Sequence, residues 1–273
     1  MRKRLDNLQE WSTSCPLCSG SSFPKSASSE RCACWRIFMA SRVLVSNGFP
    51  KGYVLYNWDS SWPNKQMTKE QQTAWEELYP DSYAWSFSSE DQENAVRFWV
   101  DNPEVVNDRG LSILLYGGKG IGKTSLATTL AKEYTKRLGV DDAAPISAFR
   151  PQFMVSDGLY ELISIKSWHG HEMYQKAISA SVLVLDDLRL SFTGYVANDY
   201  FERVHACLQH RAANNLPTII TANKADDRKD FQSNCVTEFL GITQLHGLPD
   251  KFGKYRFIQI DNQALRPEAE WDV

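Results

Sequence analysis

The residues with the clearest chemical meaning form the run GGKGIGKT, Gly117 to Thr124, which fits the spacing G-x-x-x-x-G-K-[ST]. Gly117, Gly118, Gly120 and Gly122 permit a turn whose successive backbone N–H groups point inward at phosphate oxygens. Lys119 and Ile121 complete the loop, and Lys123 brings a point charge to the β- and γ-phosphates. Thr124 offers a hydroxyl to Mg²⁺, while Ser125 belongs to a helix whose positive end faces the same phosphates. This is ATP-binding chemistry. The apolar run Leu111 to Tyr116 before it and a helical pattern after it separate this loop from an ordinary glycine-rich turn.

Hydrolysis needs a second element that holds the metal and prepares a water molecule. SVLVLDDL, Ser181 to Leu188, supplies an apolar run ending in two carboxylates about 60 residues beyond the loop. Asp186 is the expected Mg²⁺ partner and Asp187 the expected water-activating base. PTIITAN, Pro217 to Asn223, is a further apolar run expected beside that strand, which would let Asn223 orient the attacking water. A helix or turn cap is the alternative role for Asn223.

Four of the six cysteines crowd together as Cys15-Pro-Leu-Cys18 and Cys32-Ala-Cys34, a C-x₂-C and a C-x-C that can close a tetrahedral Zn²⁺ shell. Such a closed set leaves no open coordination position, so the zinc reading is structural. Two disulfides or an iron–sulfur cluster are the competing uses of the same residues. Cys207 and Cys235 read as ordinary buried or partly buried thiols.

These groups need elements to position them. Beyond Gly110, short apolar runs alternate with helical ones: LSILLY, SLATTLAKEYTKRL, PISAF, SDGLYELISI, SVLVLDD, ANDYFERVHACLQHRAA and PTIITAN, with VTEFLGITQL and KYRFIQID as a weaker closing pair. That order predicts an α/β domain with a mostly parallel sheet. Upstream, the spacing predicts a helix from Trp35 to about Val45, a connector over residues 46–64, and helices in QQTAWEEL and ENAVRFWV. The expected organisation is a zinc module over 1–45, a connector with helices over 46–110, and the ATPase domain over 111–273. The chain of 273 residues can bury a substantial core, and a net charge of -3 announces neither nucleic acid nor membrane as partner. The absence of a long apolar run predicts a soluble, cytoplasmic protein. Most of the nine tryptophans are expected in cores or interfaces, although aromatics among Lys and Arg can also stack on single-stranded bases. Lys132, Lys136 and Arg137 are expected on a solvated helix face.

Taken in order, the Cys pairs, NGFPKGYVLYNWD, the phosphate loop, VLVLDDL and HRAANNLPTIITANK resemble bacterial helicase loaders of the DnaC/DnaI type, AAA+ ATPases related to the transposition ATPase IstB. The resemblance covers roughly residues 12–260. It implies an AAA+ P-loop fold preceded by a zinc-binding segment, with Asp186 and Asp187 as the Walker B pair and Asn223 as sensor 1. Arg211 falls six residues before Pro217, where such ATPases carry an arginine on the helix leading to the sensor strand; action across a subunit boundary is one expected role, an exposed helix-end charge facing the C-terminal dipole the other. The implied function is ATP-driven loading of a hexameric, DnaB-like replicative helicase in DNA replication, with single-stranded DNA contact and homo-oligomerisation within its scope. An IstB-like ATPase regulating a transposase, and an ATP-binding adaptor with little turnover, are the rival functions. After Asn223 the family carries an arginine-bearing run where this chain reads GITQLHGLPDKFGKYR, with His246 and Lys251 near the family's arginine positions.

Overall fold

The computed structural model describes Cys15, Cys18, residues 32–54, Trp58, residues 69–70, Thr73, Trp85, Phe87 and residues 89–140, 146–164, 168–188, 195–223 and 255–260. Apolar runs flanked by helices set the strands: β1 (Ser112–Gly117), β2 (Pro151–Val155), β3 (Val182–Leu188), β4 (Thr218–Asn223) and β5 (Tyr255–Ile260). They form one sheet in the order β2-β3-β4-β1-β5, every neighbouring pair parallel. Parallel neighbours need crossovers, and helices supply them. In chain order the helices are α1 (Ala33–Ser46), α2 (Glu90–Asp101), α3 (Pro103–Arg109), α4 (Lys123–Leu138), α5 (Ser156–Ser164), α6 (Trp168–Ser179) and α7 (Tyr195–Ala213). All six residues of β1 are buried, as expected of a central parallel strand covered on both faces. Leu114, Leu159, Leu183, Leu185, Val204 and Ile220 belong to the core cluster beside it.

Insertion of β4 between β1 and β3 determines the site, because it sets the C-terminal ends of three strands side by side. That insertion is pinned at the opposite ends of the strands. The Ser112 hydroxyl accepts from the Thr218 N–H (2.9 Å), and the Asn215 amide donates to the Asp108 carbonyl (3.1 Å). Between them Gly110 caps α3 at φ +63°, and a Cβ there would stand 2.6 Å from the Asn215 Cα, so only glycine fits.

The chain divides into two units, Met1–Ala84 with Thr128–Arg150, and Trp85–Ala127 with Pro151–Val273. The division falls within α4. In the first unit, Lys132 and Lys136 are buried rather than solvated. The Lys132 ammonium donates to the Val54 carbonyl (2.9 Å), and Lys136 pairs with buried Glu133, which accepts from the Trp58 N–H (3.4 Å). The connector residues thus satisfy charges that the helical pattern assigned to water; Arg137 is half-buried.

PISAF is not a strand. Its described residues form a turn in which the Phe149 N–H donates to the Ile146 carbonyl, and Phe149 packs on Tyr134 with ring centroids 5.7 Å apart. The strand is instead the next run, PQFMV, paired with β3. The runs QQTAWEEL and VTEFLGITQL, with His246, Lys251 and Cys235, lie outside the described residues or mostly so. Among the described residues no helix is long and apolar enough to cross a membrane.

Candidate nucleotide site and cysteine cluster

The phosphate loop leaves β1 at Gly117 and enters α4 at Lys123. Gly120 (φ +80°) and Gly122 (φ +92°) hold left-handed conformations that side chains resist, which turns the backbone around the loop. The first turn of α4 carries no acidic residue of its own, so its positive end is left to acidic groups that face it from outside the helix. Lys123 is buried, and its ammonium donates to the carbonyls of Gly117 (3.2 Å) and Gly118. Burial pulls that ammonium down to about 8, against the upward pull of Asp187 and Asp186. Gly118 and Lys119 are exposed, while Ile121 and Ser125 are buried beneath the loop.

The two carboxylates of β3 meet this loop. The Thr124 hydroxyl donates to Asp186 Oδ1 (2.9 Å), bringing together the two expected Mg²⁺ partners. Burial pushes the Asp186 carboxyl up, and the Thr221 and Thr124 hydroxyls pull it back. The Asn223 amide donates to Asp187 Oδ1 (2.7 Å), and Asn223 is paired in register with Gly117. Gly117, Lys123, Thr124, Asp186, Asp187 and Asn223 therefore converge at one end of the sheet, within a single unit of the chain. The residues fit a nucleoside triphosphate with Mg²⁺: a left-handed glycine loop and helix end for phosphates, a buried lysine, and a hydroxyl–carboxylate pair for the cation.

Arg211 does not join this group. It is fully buried, with Nε donating to Thr218 Oγ1 (2.9 Å), Nη1 to the carbonyls of Ala177 (2.8 Å) and Ala180 (2.9 Å), and Nη2 to the Pro217 carbonyl (2.6 Å). A guanidinium so enclosed cannot reach into a neighbouring subunit, which corrects the reading of Arg211 as a trans-acting catalytic arginine. The planar fork instead ties the ends of α6, α7 and β4 together.

Two residues were missed. Thr221 Oγ1 donates to Asp186 Oδ1 (2.6 Å) and accepts from the Asp187 N–H (2.9 Å), and Ser156 Oγ donates to the Asp187 carbonyl (2.7 Å). Thr221 had a legible signal: two residues before Asn223, it shares that residue's face of a strand. Ser156 had none, because only the fold brings the start of α5 to the end of β3.

In the other unit, Cys15, Cys18, Cys32 and Cys34 are all buried, unbridged thiols whose sulfurs lie within 4.8 Å of one another. The Sγ separations are 3.8 Å for Cys15 to Cys32 and 3.3 Å for Cys18 to Cys34. Tetrahedral zinc with Zn–S near 2.3 Å needs sulfurs about 3.8 Å apart, so the set fits Zn²⁺. Cys32 is the extended N-cap of α1 and Cys34 lies in its first turn. The Cys15 thiol and burial push Cys32 up to about 12, a crowding that a cation among the four would relieve.

No family model matches the chain, and no curated protein matches it. Among solved structures the fold is similar to that of the DnaC helicase loader, with 21% identity and a TM-score of 0.48 over 66% of this chain and 95% of that one. It is similar also to DnaI, with 20% identity and a TM-score of 0.45 over 67% and 88% of the two chains. The replication initiator DnaA bound to AMPPCP and single-stranded DNA shares 16% identity and a TM-score of 0.45 over 65% of this chain and 49% of its own. The loaders to which the motifs point recur among these structural neighbours.

Proposed function

We propose that this chain is an ATPase of the AAA+ helicase-loader type, which binds ATP at Gly117–Ser125 and hydrolyses it with Asp187 as base. The observation that carries the reading is the convergence of Thr124 on Asp186 (2.9 Å) and Asn223 on Asp187 (2.7 Å) beside buried Lys123. Separate strands bring these groups together, so the pattern does not depend on the loop motif alone. Lys123 and the loop N–H groups would grip the phosphates, and Thr124 with Asp186 would hold Mg²⁺. The metal supplies charge neutralisation for the transferring phosphoryl group. Asn223 keeps the Asp187 carboxylate directed and shares with it the place of an attacking water, whose proton Asp187 takes. Cys15, Cys18, Cys32 and Cys34 would hold a structural zinc.

Loading of a hexameric replicative helicase rests on the sequence resemblance, in particular on the Cys pairs together with VLVLDDL and PTIITAN. Capture with the chain as bait, in ATP and in ADP, tests it: a hexameric helicase is expected, and a transposase would move the reading to the IstB kind. The buried position of Arg211 favours a second reading, an ATP-binding adaptor whose shape depends on nucleotide and whose turnover is slow. Steady-state ATP hydrolysis with and without single-stranded DNA separates the two.

A further inference from the structure

Asp186 and Asp187 are adjacent in a strand, where successive side chains point to opposite faces, yet both carboxylates serve the same end of the sheet. The structure shows how. The pairing of β3 with β4 runs in register to Leu185 and resumes, shifted, at Leu188. Asp187 sits inside that irregularity at φ +55°, a left-handed conformation that is uncommon for a side-chain-bearing residue. Strain of this kind persists only where the surroundings hold it. Here both backbone polar groups of Asp187 are held by hydroxyls, its N–H by Thr221 and its carbonyl by buried Ser156, and the Thr221 proton is spent on Asp186 Oδ1.

We infer that Thr221 is a positioning residue, a latch that keeps Asp187 left-handed and orients Asp186 at the same time, with Ser156 as its brace. One hydroxyl thus couples the metal-holding carboxylate to the backbone of the base. The chemistry needs both functions, a donor toward Asp186 and an acceptor toward Asp187; serine retains them and isosteric valine removes them. The inference rests on the nucleotide reading above.

The test titrates Mg²⁺ against binding of a fluorescent ADP analogue, repeats the binding in EDTA, and measures ATP turnover beside it. Thr221→Val should bind in EDTA as the native chain does, lose about tenfold of the tightening that Mg²⁺ gives, and turn over about tenfold or more slower. Thr221→Ser should restore both. A native Mg²⁺ response with native turnover in Thr221→Val overturns the latch. If Thr221→Val does not fold, Ser156→Ala decides: slowed turnover with a native Mg²⁺ response supports the latch, and native turnover overturns it. A native chain that neither binds the analogue nor hydrolyses ATP defeats the nucleotide reading and the latch with it. An active native chain with an indifferent Thr221→Val defeats the latch alone.

Discussion

At the residue scale, the proposed function assigns binding to Lys123 and turnover to Asp187. Lys123→Ala removes the buried positive charge from the loop and should weaken nucleotide binding on the order of a hundredfold, read by fluorescence titration. Asp187→Asn keeps the shape and the Asn223 neighbour but not the base. It should bind normally while hydrolysis falls roughly a hundredfold or more, and normal turnover would remove Asp187 from the base role. The Lys123 ammonium, held down to about 8, also sets a pH dependence. Nucleotide affinity should be level below pH 8 and fall above it by up to about tenfold per unit, as the loop loses its charge. Stability without nucleotide runs the other way. Between 8 and the ordinary lysine value of 10.5 the unfolded chain binds more protons than the folded one, so this group's contribution to stability rises with pH. Paired affinity and denaturation series from pH 7 to 10 check both signs. The charge-bearing residues of this site were legible because a phosphate loop has a fixed spacing. Thr221 was legible only as a neighbour on the Asn223 face of its strand, and Ser156 not at all, since a hydroxyl acquires its role only from the partner that the fold delivers.

At the scale of elements, Arg211 shows how a charged residue becomes a tie. Its four acceptors come from the end of α6, the residue after it, the residue before β4 and the first residue of β4. Arg211→Ala would remove the guanidinium from those buried acceptors, of which the Pro217 carbonyl keeps the Leu183 N–H, and should cost roughly 3 kcal/mol or more of stability. Arg211→Lys should rescue little, because an ammonium cannot span the fork. Thermal melting of the isolated chain reads both; a loss confined to assemblies would return Arg211 to the trans role. The cysteine cluster is the second element-scale device. Two of its sulfurs lie at and just inside the start of α1, whose N-cap side chain accepts from none of the helix N–H groups, so a cation there would fix the entry of that helix. Protein prepared without chelator should carry one equivalent of zinc, and Cys15→Ser should lose it. Less than half an equivalent in the native protein would end the zinc assignment.

For the whole molecule, the decisive fact is that Thr128–Arg150 belongs with the first 84 residues rather than with the rest of the sheet domain. Lys132 donates to the Val54 carbonyl and Glu133 accepts from the Trp58 N–H, so a fragment beginning at residue 111 would strip buried Lys132 of that acceptor and Glu133 of that donor while keeping the Glu133–Lys136 pair. That fragment should be insoluble or melt far below the full chain, and melting within about 3 °C of it would show that the distal half of α4 does not need the connector. The contrast also separates what each level of description supplies. Sequence alone picked out the phosphate loop, the carboxylate pair, the four cysteines and the alternation of strands and helices, because each rests on spacing along the chain. KYRFIQID, one of the weaker closing pair, forms β5, and the strand before α5 was missed because PISAF and PQFMV are equally apolar neighbours. Tertiary structure alone decided that β4 lies between β1 and β3, that Arg211 is a buried tie, that Lys132 and Lys136 are not in water, and that Asp187 turns left-handed under two hydroxyls. Those outcomes depend on groups brought together from 6 to 107 positions apart, and the energies that settle them, burial and hydrogen-bond satisfaction, exist only once the chain has closed around them.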